Sequence, residues 1–324
     1  MASGLAAKRV LVVDDERAVA SDLARRLEQD GAVCTVAHAG NEAADKLAAG
    51  GFDLLLTDLE MPGRSGWQLI EDARALVEPP AIVIMSENGA AAEALSRGAD
   101  AWLGKPVDVE YAAHQASVAL EMRRLTKLAE GLSLGPPGPI LTVIGEIVNA
   151  FEKADPYRAG FSTRTARLAV FLGGALGLDG DKLALAARVH DVGMLAVPVS
   201  EQHTEGPPER TTQHIIRVHP TLGARWVERL GADRAIVAAV AAHHERWDGK
   251  GYPGGIAGED IPDFARALGC AQSIAAMSAP RPWREKRESV DLIAQLESER
   301  GKQFGPAEAD AAIEILLKNP GIVS

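Results

Sequence analysis

Residues 54–70 read LLLTDLEMPGRSGWQLI. Three leucines and a threonine run straight into Asp58. A turn with proline and glycine follows, and a helical pattern opens at Gly66. A short apolar run bounded by turn chemistry reads as a strand buried on both faces. The same unit recurs on either side of it. Val10–Val13, Val33–Ala37, Ala81–Met85 and Ala101–Leu103 are further apolar runs. Amphipathic segments lie near Ala18–Gln29, Asn41–Ala49, Gly66–Leu76 and Ala90–Arg97. Five strands alternating with helices predict an α/β unit built on a doubly wound parallel sheet. Ligands of such sheets sit at the carboxyl ends of the strands.

Those strand ends carry the chemistry. Asp14 and Asp15 close the first strand, Asp58 the third and Ser86 the fourth, and Lys105 follows the fifth. A lone Asp-Asp pair is ordinarily a solvated turn, and a lone Lys-Pro means little. Their convergence on one sheet edge is harder to dismiss. Carboxylates suit Mg²⁺, which keeps several waters and takes one or two carboxylates plus phosphate oxygens. Lys105 can balance the charge of a phosphoryl group, and Ser86 can donate a hydrogen bond to it. VLVVDDE (10–16), LLLTDLEMPGRSGWQLI, IVIMS (82–86) and GADAWLGKP (98–106) resemble the receiver family of two-component systems, from residue 8 to about 122. The resemblance implies a flavodoxin-like fold and phosphorylation of Asp58 by a histidine kinase, with Ser86 and Lys105 completing the pocket. It further implies Mg²⁺ held by Asp15, Asp58 and the main-chain carbonyl of Glu60, with Asp14 assisting through water. Trp102 occupies the family's switch-aromatic position, where Tyr or Phe is more usual.

A helix is expected from about Asp108 towards Gly131, with a seam at Tyr111, Gln115, Val118, Met122, Leu125, Ala129 and Leu132. The spacing is heptad-like, but Gln115 and Ala129 weaken it. Two readings stay open: a helix that packs on its own sheet and then spaces two domains, which we favour, or a coiled coil that makes a homodimer. Gly135-Pro136-Pro137-Gly138-Pro139 is expected to break any helix. The chain thus divides into an α/β receiver (1–122), a linker (123–139) and an all-α output domain (140–324). Helices are expected in the last at Ser162–Leu176, Asp181–Val189, Thr211–Val218, Thr221–Leu230, Ala232–Glu245, Phe264–Ser278, Val290–Ser298 and Ala307–Leu317, with an apolar stripe at Ile140, Ile144, Ile147 and Phe151.

Composition bounds the function. With 324 residues and 47% apolar content there is enough for two cores. The net charge of -11 argues against non-specific binding to DNA or to anionic membranes. Cys34 and Cys270 stand in no metal-type spacing. No run approaches the roughly 20 apolar residues that span a bilayer. The N-terminus lacks a secretory pattern. A soluble, cytoplasmic protein is expected.

Six of the eight histidines lie beyond residue 185. His190-Asp191, His219-Pro220 and His243-His244-Glu245 fall within or at the ends of expected helices. One histidine is ordinarily a core or surface residue, but three such groups suggest a metal cluster of Fe, Mn, Ni or Zn. Adjacent histidines on a helix diverge by about 100°, so His243 and His244 can share a centre only near that helix end. HHERWDGKGYPGG (243–255), IPDFARAL (261–268) and RPW (281–283) resemble the HD-GYP subgroup of HD-domain phosphohydrolases. The resemblance runs from about Ile140 to the C-terminus. It implies cyclic di-GMP hydrolysis at two or three metal ions, with His190 and Asp191 as the HD pair and His219, His243 and His244 as further ligands. Tyr252, Gly251 and Arg266 become candidate nucleotide or partner contacts. An exposed Tyr252 would anchor a GGDEF-domain partner.

The departures from that pattern are as informative. Phe161 and Gln272 stand where a histidine and an aspartate ligand are expected, Met194 replaces a lysine, and Ala275 replaces a second nearby aspartate. Segment 201–212, EQHTEGPPERTT, lacks the family's Lys-Pro-Gly. Glu152, His203 or His214 could substitute as ligands, though nothing in the sequence compels it. The losses concentrate on one half of a dimetal site, so one ion or none is expected there. Three readings follow. The one we favour is a degenerate output domain that binds protein or nucleotide. The others are a cyclic di-GMP phosphodiesterase with an altered metal centre, and a hydrolase of another phosphate-containing substrate.

Overall fold

A computed structural model of the chain describes residues 5–86, 91–131, 138–153, 158–197, 210–280 and 286–323. It forms two compact units, Met1–Gly131 and Leu132–Ser324. Among the described residues no helix is long and apolar enough to cross a membrane.

The first unit alternates strands and helices. Its strands are β1 (Arg9–Val13), β2 (Val33–Ala37), β3 (Leu54–Asp58), β4 (Ala81–Ser86) and β5 (Ala101–Gly104). All pair in parallel, in the order β2-β1-β3-β4-β5. The helices are α1 (Arg17–Gln29), α2 (Gly40–Ala49), α3 (Gly66–Ala75), α4 (Ala91–Ser96) and α5 (Val109–Gly131). The apolar runs are continuous because both sheet faces are covered. Val10, Val12, Leu54, Leu56 and Val83 pack in one buried cluster with Leu23 and Leu27 of α1 and Ala112, Ala116 and Ala119 of α5. Leu11, Leu55, Ile82 and Ile84 alternate to the other face and are equally buried. The first half of α5 therefore packs on its own sheet, with Gln115 and Met122 of the seam buried.

Gly66 shows why the turn after β3 has its sequence. A Cβ there would lie 2.1 Å from the Asp58 carbonyl oxygen, so only glycine lets α3 start against the strand end. Ser65 caps that helix in a reciprocal box with Gln68.

The second unit is helical. Its helices are α6 (Gly138–Glu152), α7 (Phe161–Leu176), α8 (Gly180–Val189), α9 (Arg210–Arg229), α10 (Arg234–Ala242), α11 (Asp263–Met277), α12 (Ser289–Glu299) and α13 (Pro306–Lys318). Three expectations change. Gly138 and Pro139 open α6 rather than breaking it, since proline is tolerated in a first helical turn, where its missing N–H has no partner to lose. Residues 135–137 lie outside the described residues. The two helices expected around Pro220 are one, α9, with Pro220 inside it. Interior proline orphans the carbonyl four residues earlier; here that is Ile216, and the His219 ring takes it, Nδ1 to oxygen 2.6 Å. Finally α10 ends at Ala242 rather than running on to Glu245.

Candidate functional site

At the carboxyl edge of the sheet, Asp14, Asp58 and Ser86 are buried and Lys105 closes over them. The Lys105 ammonium donates to Asp58 Oδ2 at 2.7 Å and lies 3.2 Å from Asp14 Oδ2. Asp14 Oδ1 accepts from the Glu16 amide at 2.9 Å. Its Oδ2 is buried without a hydrogen bond. Burial pushes the Asp14 carboxyl up, although the Glu16 hydrogen bond and Lys105 act against it. Burial also works against charge on Lys105, but its hydrogen bond to Asp58 and the charges of Asp14 and Asp58 outweigh that and hold the ammonium up. Asp15 is exposed at the rim, and a ligand oxygen from each of Asp14, Asp15 and Asp58 lies within 4.8 Å of the others. Three carboxylates converging on one sheet edge fit a hard divalent cation such as Mg²⁺. Glu60 is exposed beside them, and its amide donates to Asp58 Oδ1 at 3.3 Å.

Trp102 adds a contact that the sequence alone did not reveal. Its indole Nε1–H donates to Ser86 Oγ at 2.8 Å, and the ring is buried. A phenylalanine there could not make this bond.

The second unit gathers donors from three places. His190 caps the end of α8, and Asp191 follows, opening the 3-10 turn Val192–Ala196. His219 projects from the middle of α9. His243 and His244 follow the last turn of α10, so both rings reach one centre, with centroids 4.3 Å apart. Gly193 makes the convergence possible. A Cβ there would meet the His219 carbonyl oxygen at 2.1 Å, so glycine lets the 3-10 turn lie directly on α9. One ligand atom from each of Asp191, His219, His243 and His244 lies within 4.8 Å of the others.

Three of the four imidazoles are oriented alike. Nδ1 of His190, His219 and His243 sits 2.7, 2.6 and 2.7 Å from the carbonyl oxygens of Ala187, Ile216 and Val240. A carbonyl only accepts, so each Nδ1 carries the proton and each Nε2 keeps its lone pair. This is how a metal-binding histidine is usually fixed in tautomer and direction. Nε2 of His219 and Nε2 of His243 face each other at 3.1 Å. Two lone pairs at that distance repel unless a cation lies against both. Burial drives His190, His243 and His244 below the usual histidine range, so they are held in the neutral form that coordinates metal. The donor set thus fits one borderline divalent ion.

Asp191 is divided between two surroundings. Its Oδ1 faces Nε2 of His219, His190 and His243 at 3.3, 3.6 and 4.0 Å. Its Oδ2 is 2.6 Å from the Arg158 guanidinium. Burial opposes charge on Asp191, but its electrostatic surroundings, the His190 and His219 rings and the Arg158 guanidinium, hold it well below the carboxylate range. With His190 neutral, the permanent charge is that of Arg158.

The opposite half lacks donors. The Phe161 ring lies 5.6 Å from the His190 ring, and His190 Nε2 is buried without a partner. Gln272 Nε2 donates to the His243 carbonyl at 2.8 Å, a bond that an aspartate could not make. Glu152 is buried, and both its oxygens accept from the Ser162 amide at 3.0 Å, with Ser162 Oγ adding a third bond. Burial pushes its carboxyl up to about 7. Met194 and Ala275 are buried and apolar. His203 and RPW (281–283) lie outside the described residues, as does the side chain of His214.

Beside the donor cluster lies a cavity of about 260 Å³, walled in part by His243, Tyr252, Trp247, Arg217, Lys250 and Arg266. Tyr252 is half-buried rather than exposed. Its ring stacks on His244 at 4.6 Å and 18°, and the Arg217 guanidinium sits 5.2 Å from its centroid. Desolvation explains the position, since the ring covers the imidazole. Gly251 also lines the cavity. Arg266 is committed to Glu308 at 2.8 Å and to the Ile261 carbonyl at 2.7 Å. The sequence reading passed over Arg158 and Arg217. Arg158 stands three residues before Phe161, so a cation in the segment that loses a ligand was the available signal; Arg217 carried none.

A family model described as a response regulator receiver domain matches residues 10–115, and one described as an HD domain matches residues 149–307. Among curated relatives, the cyclic di-GMP phosphodiesterase response regulator RpfG of Xanthomonas campestris pv. campestris is 28% identical over 94% of this chain and 86% of its own. A cyclic di-GMP phosphodiesterase of Thermotoga maritima is 25% identical over 94% of this chain and 90% of its own. The two matched segments fall on the parallel sheet and on the helical unit in turn, and the chain belongs among the two-component response regulators, with a receiver domain followed by an HD domain.

Proposed function

We propose that phosphorylation of Asp58 by a histidine kinase controls an HD-type output domain that binds cyclic di-GMP and does not turn it over. The observation that carries this is the bare half of the metal site. Phe161 faces His190 where a donor would be needed, and Gln272 spends its amide on a backbone carbonyl. Asp191, His219, His243 and His244 remain to hold one Fe, Mn, Ni or Zn ion. Such an ion supplies Lewis-acid binding of a phosphate oxygen. A second ion, which would share a bridging water and lower its pKa further, has no complete ligand set.

The relatives' names supply the ligand class, and the cavity supplies a surface of matching chemistry. Arg217 and Lys250 have no ion pair among the described residues and can meet phosphate charge, and Trp247 and Tyr252 line the same cavity. In the receiver, Asp58 accepts the phosphoryl group, Asp14, Asp15, Asp58 and the Glu60 carbonyl hold Mg²⁺, and Ser86 and Lys105 receive the new charge. The exposed Pro253–Gly255 turn, tied down by Glu245 Oε1 to the amides of Gly254 and Gly255 at 2.6 and 3.1 Å, is the surface for a GGDEF-domain partner.

A second reading, a phosphodiesterase working with one ion, is favoured by the preset Nε2 atoms of His219 and His243. Calorimetry with cyclic di-GMP, run beside a product assay with added Mn²⁺ or Fe²⁺, separates the two. Binding without product supports the first. Turnover that disappears in a His243→Ala variant establishes the second.

A further inference from the structure

We propose that Arg158 is a resident cation that limits this metal centre to one ion, standing where a second divalent ion would need the other oxygen of Asp191. The inference rests on the one-ion centre argued above and adds its cause. On that reading the second half of the site is more than short of ligands: it is already occupied by positive charge.

The geometry is specific. A carboxylate that serves two ions commonly gives one oxygen to each. Asp191 turns Oδ1 to the imidazole cluster and commits Oδ2 to Arg158 at 2.6 Å. Asp191 is buried and Arg158 largely so, with side-chain exposures of 9% and 13%, so water does little to screen or replace the pair. Guanidinium only donates, and it stays protonated at any pH a folded protein survives. It therefore cannot become a ligand and cannot be neutralised to admit one. The surroundings agree. His190 Nε2, a buried nitrogen without a hydrogen-bond partner, faces Oδ1 at 3.6 Å, and Phe161 presents a ring to it. Arg158 is therefore what Asp191 Oδ2 meets in place of a second ion.

This yields a prediction that missing ligands alone would not. Supplying Phe161→His and Gln272→Asp together adds an imidazole and a carboxylate to the empty half. If ligand number were the whole cause, that double variant would take two ions. With Arg158 in place it should still take one.

The test is metal content per chain, measured by elemental mass spectrometry after loading full-length protein with Mn²⁺ and removing the excess. Calorimetric titration with Mn²⁺ gives the stoichiometry independently. Wild type and the double variant are expected to hold one ion. Adding Arg158→Gln to the double variant is expected to raise the content to two. Two ions in the double variant, or one in the triple variant, would overturn the role of Arg158 while leaving the one-ion reading of wild type intact. A wild type that holds no ion overturns that reading and this inference with it. Should the triple variant fail to fold, electron paramagnetic resonance of the Mn²⁺-saturated double variant decides. An isolated-ion spectrum is expected, and a spectrum of two coupled ions would refute the proposal.

Discussion

Replacing Lys105 with methionine tests the receiver pocket without any need for activity. The substitution keeps the length of the stem and removes the ammonium. That leaves Asp14, with no exposed surface, and Asp58, 4% exposed, facing each other without the cation that lies 3.2 and 2.7 Å from them. Breaking a buried pair by deleting one partner costs about 3–5 kcal/mol. The Lys105 side chain is 20% exposed, so water can enter where it leaves, and about 2–3 kcal/mol is a fair discount. For a domain of this size that is roughly 10 °C in melting temperature. Mg²⁺ should recover most of the loss, because it supplies charge between the same carboxylates. Acid should recover part of it as well. Burial already raises the Asp14 carboxyl, and losing Lys105 raises it further, so the penalty is full above the folded-state pKa and shrinks as pH falls and the group protonates. Calorimetric scans of the full-length chain, with and without Mg²⁺, provide the assay. A Lys105→Met protein whose receiver transition stays within about 2 °C of wild type without Mg²⁺ would refute the reasoning. So would a loss that Mg²⁺ leaves unchanged.

Incubation with a small phosphodonor and Mg²⁺ should add one phosphoryl group by intact mass, and an adduct that persists in Asp58→Ala would show the wrong acceptor. Trp102→Phe deletes the bond to Ser86 and part of a buried ring, and should cost the receiver at least about 1 kcal/mol in urea unfolding; an unchanged midpoint would argue that the indole N–H contributes nothing. Glu152 has its folded pKa raised to about 7 from an ordinary 4.5, so its contribution to stability is present at acid pH and is lost as pH rises through that interval. Wild type should therefore lose on the order of 3 kcal/mol of helical-domain stability between those limits relative to Glu152→Gln, and parallel pH profiles would contradict the assignment. Gly193→Ala forces the 3-10 turn away from α9 and should cost about 2–3 kcal/mol together with retained metal; a variant that folds and holds metal like wild type would show that the contact is not needed.

Much of this was legible in the sequence. The strands announced themselves because a doubly covered sheet needs unbroken apolar runs. The pocket followed because Asp14, Asp58, Ser86 and Lys105 each stand at a strand end, and parallel pairing must bring such ends together. The helical unit was harder. Pro220 read as a break because the rule for interior proline counts a lost hydrogen bond, whereas the His219 ring replaces the lost donor to Ile216. His243 and His244 were expected to share a centre only near a helix end, and α10 supplies that end by stopping at Ala242, before both. Arg158 left only a faint signal, a cation three residues before Phe161, and its partner lies 33 residues away.

The central claim is that this output domain keeps a binding site and has lost a hydrolytic one. The most direct measurement is product formation from cyclic di-GMP by Mn²⁺-loaded full-length protein, with and without phosphorylation at Asp58, on samples that calorimetry shows to be binding the nucleotide. The account predicts bound nucleotide and no linear product above the rate without protein, in either phosphorylation state. Product that forms with wild type and vanishes in His243→Ala would contradict it.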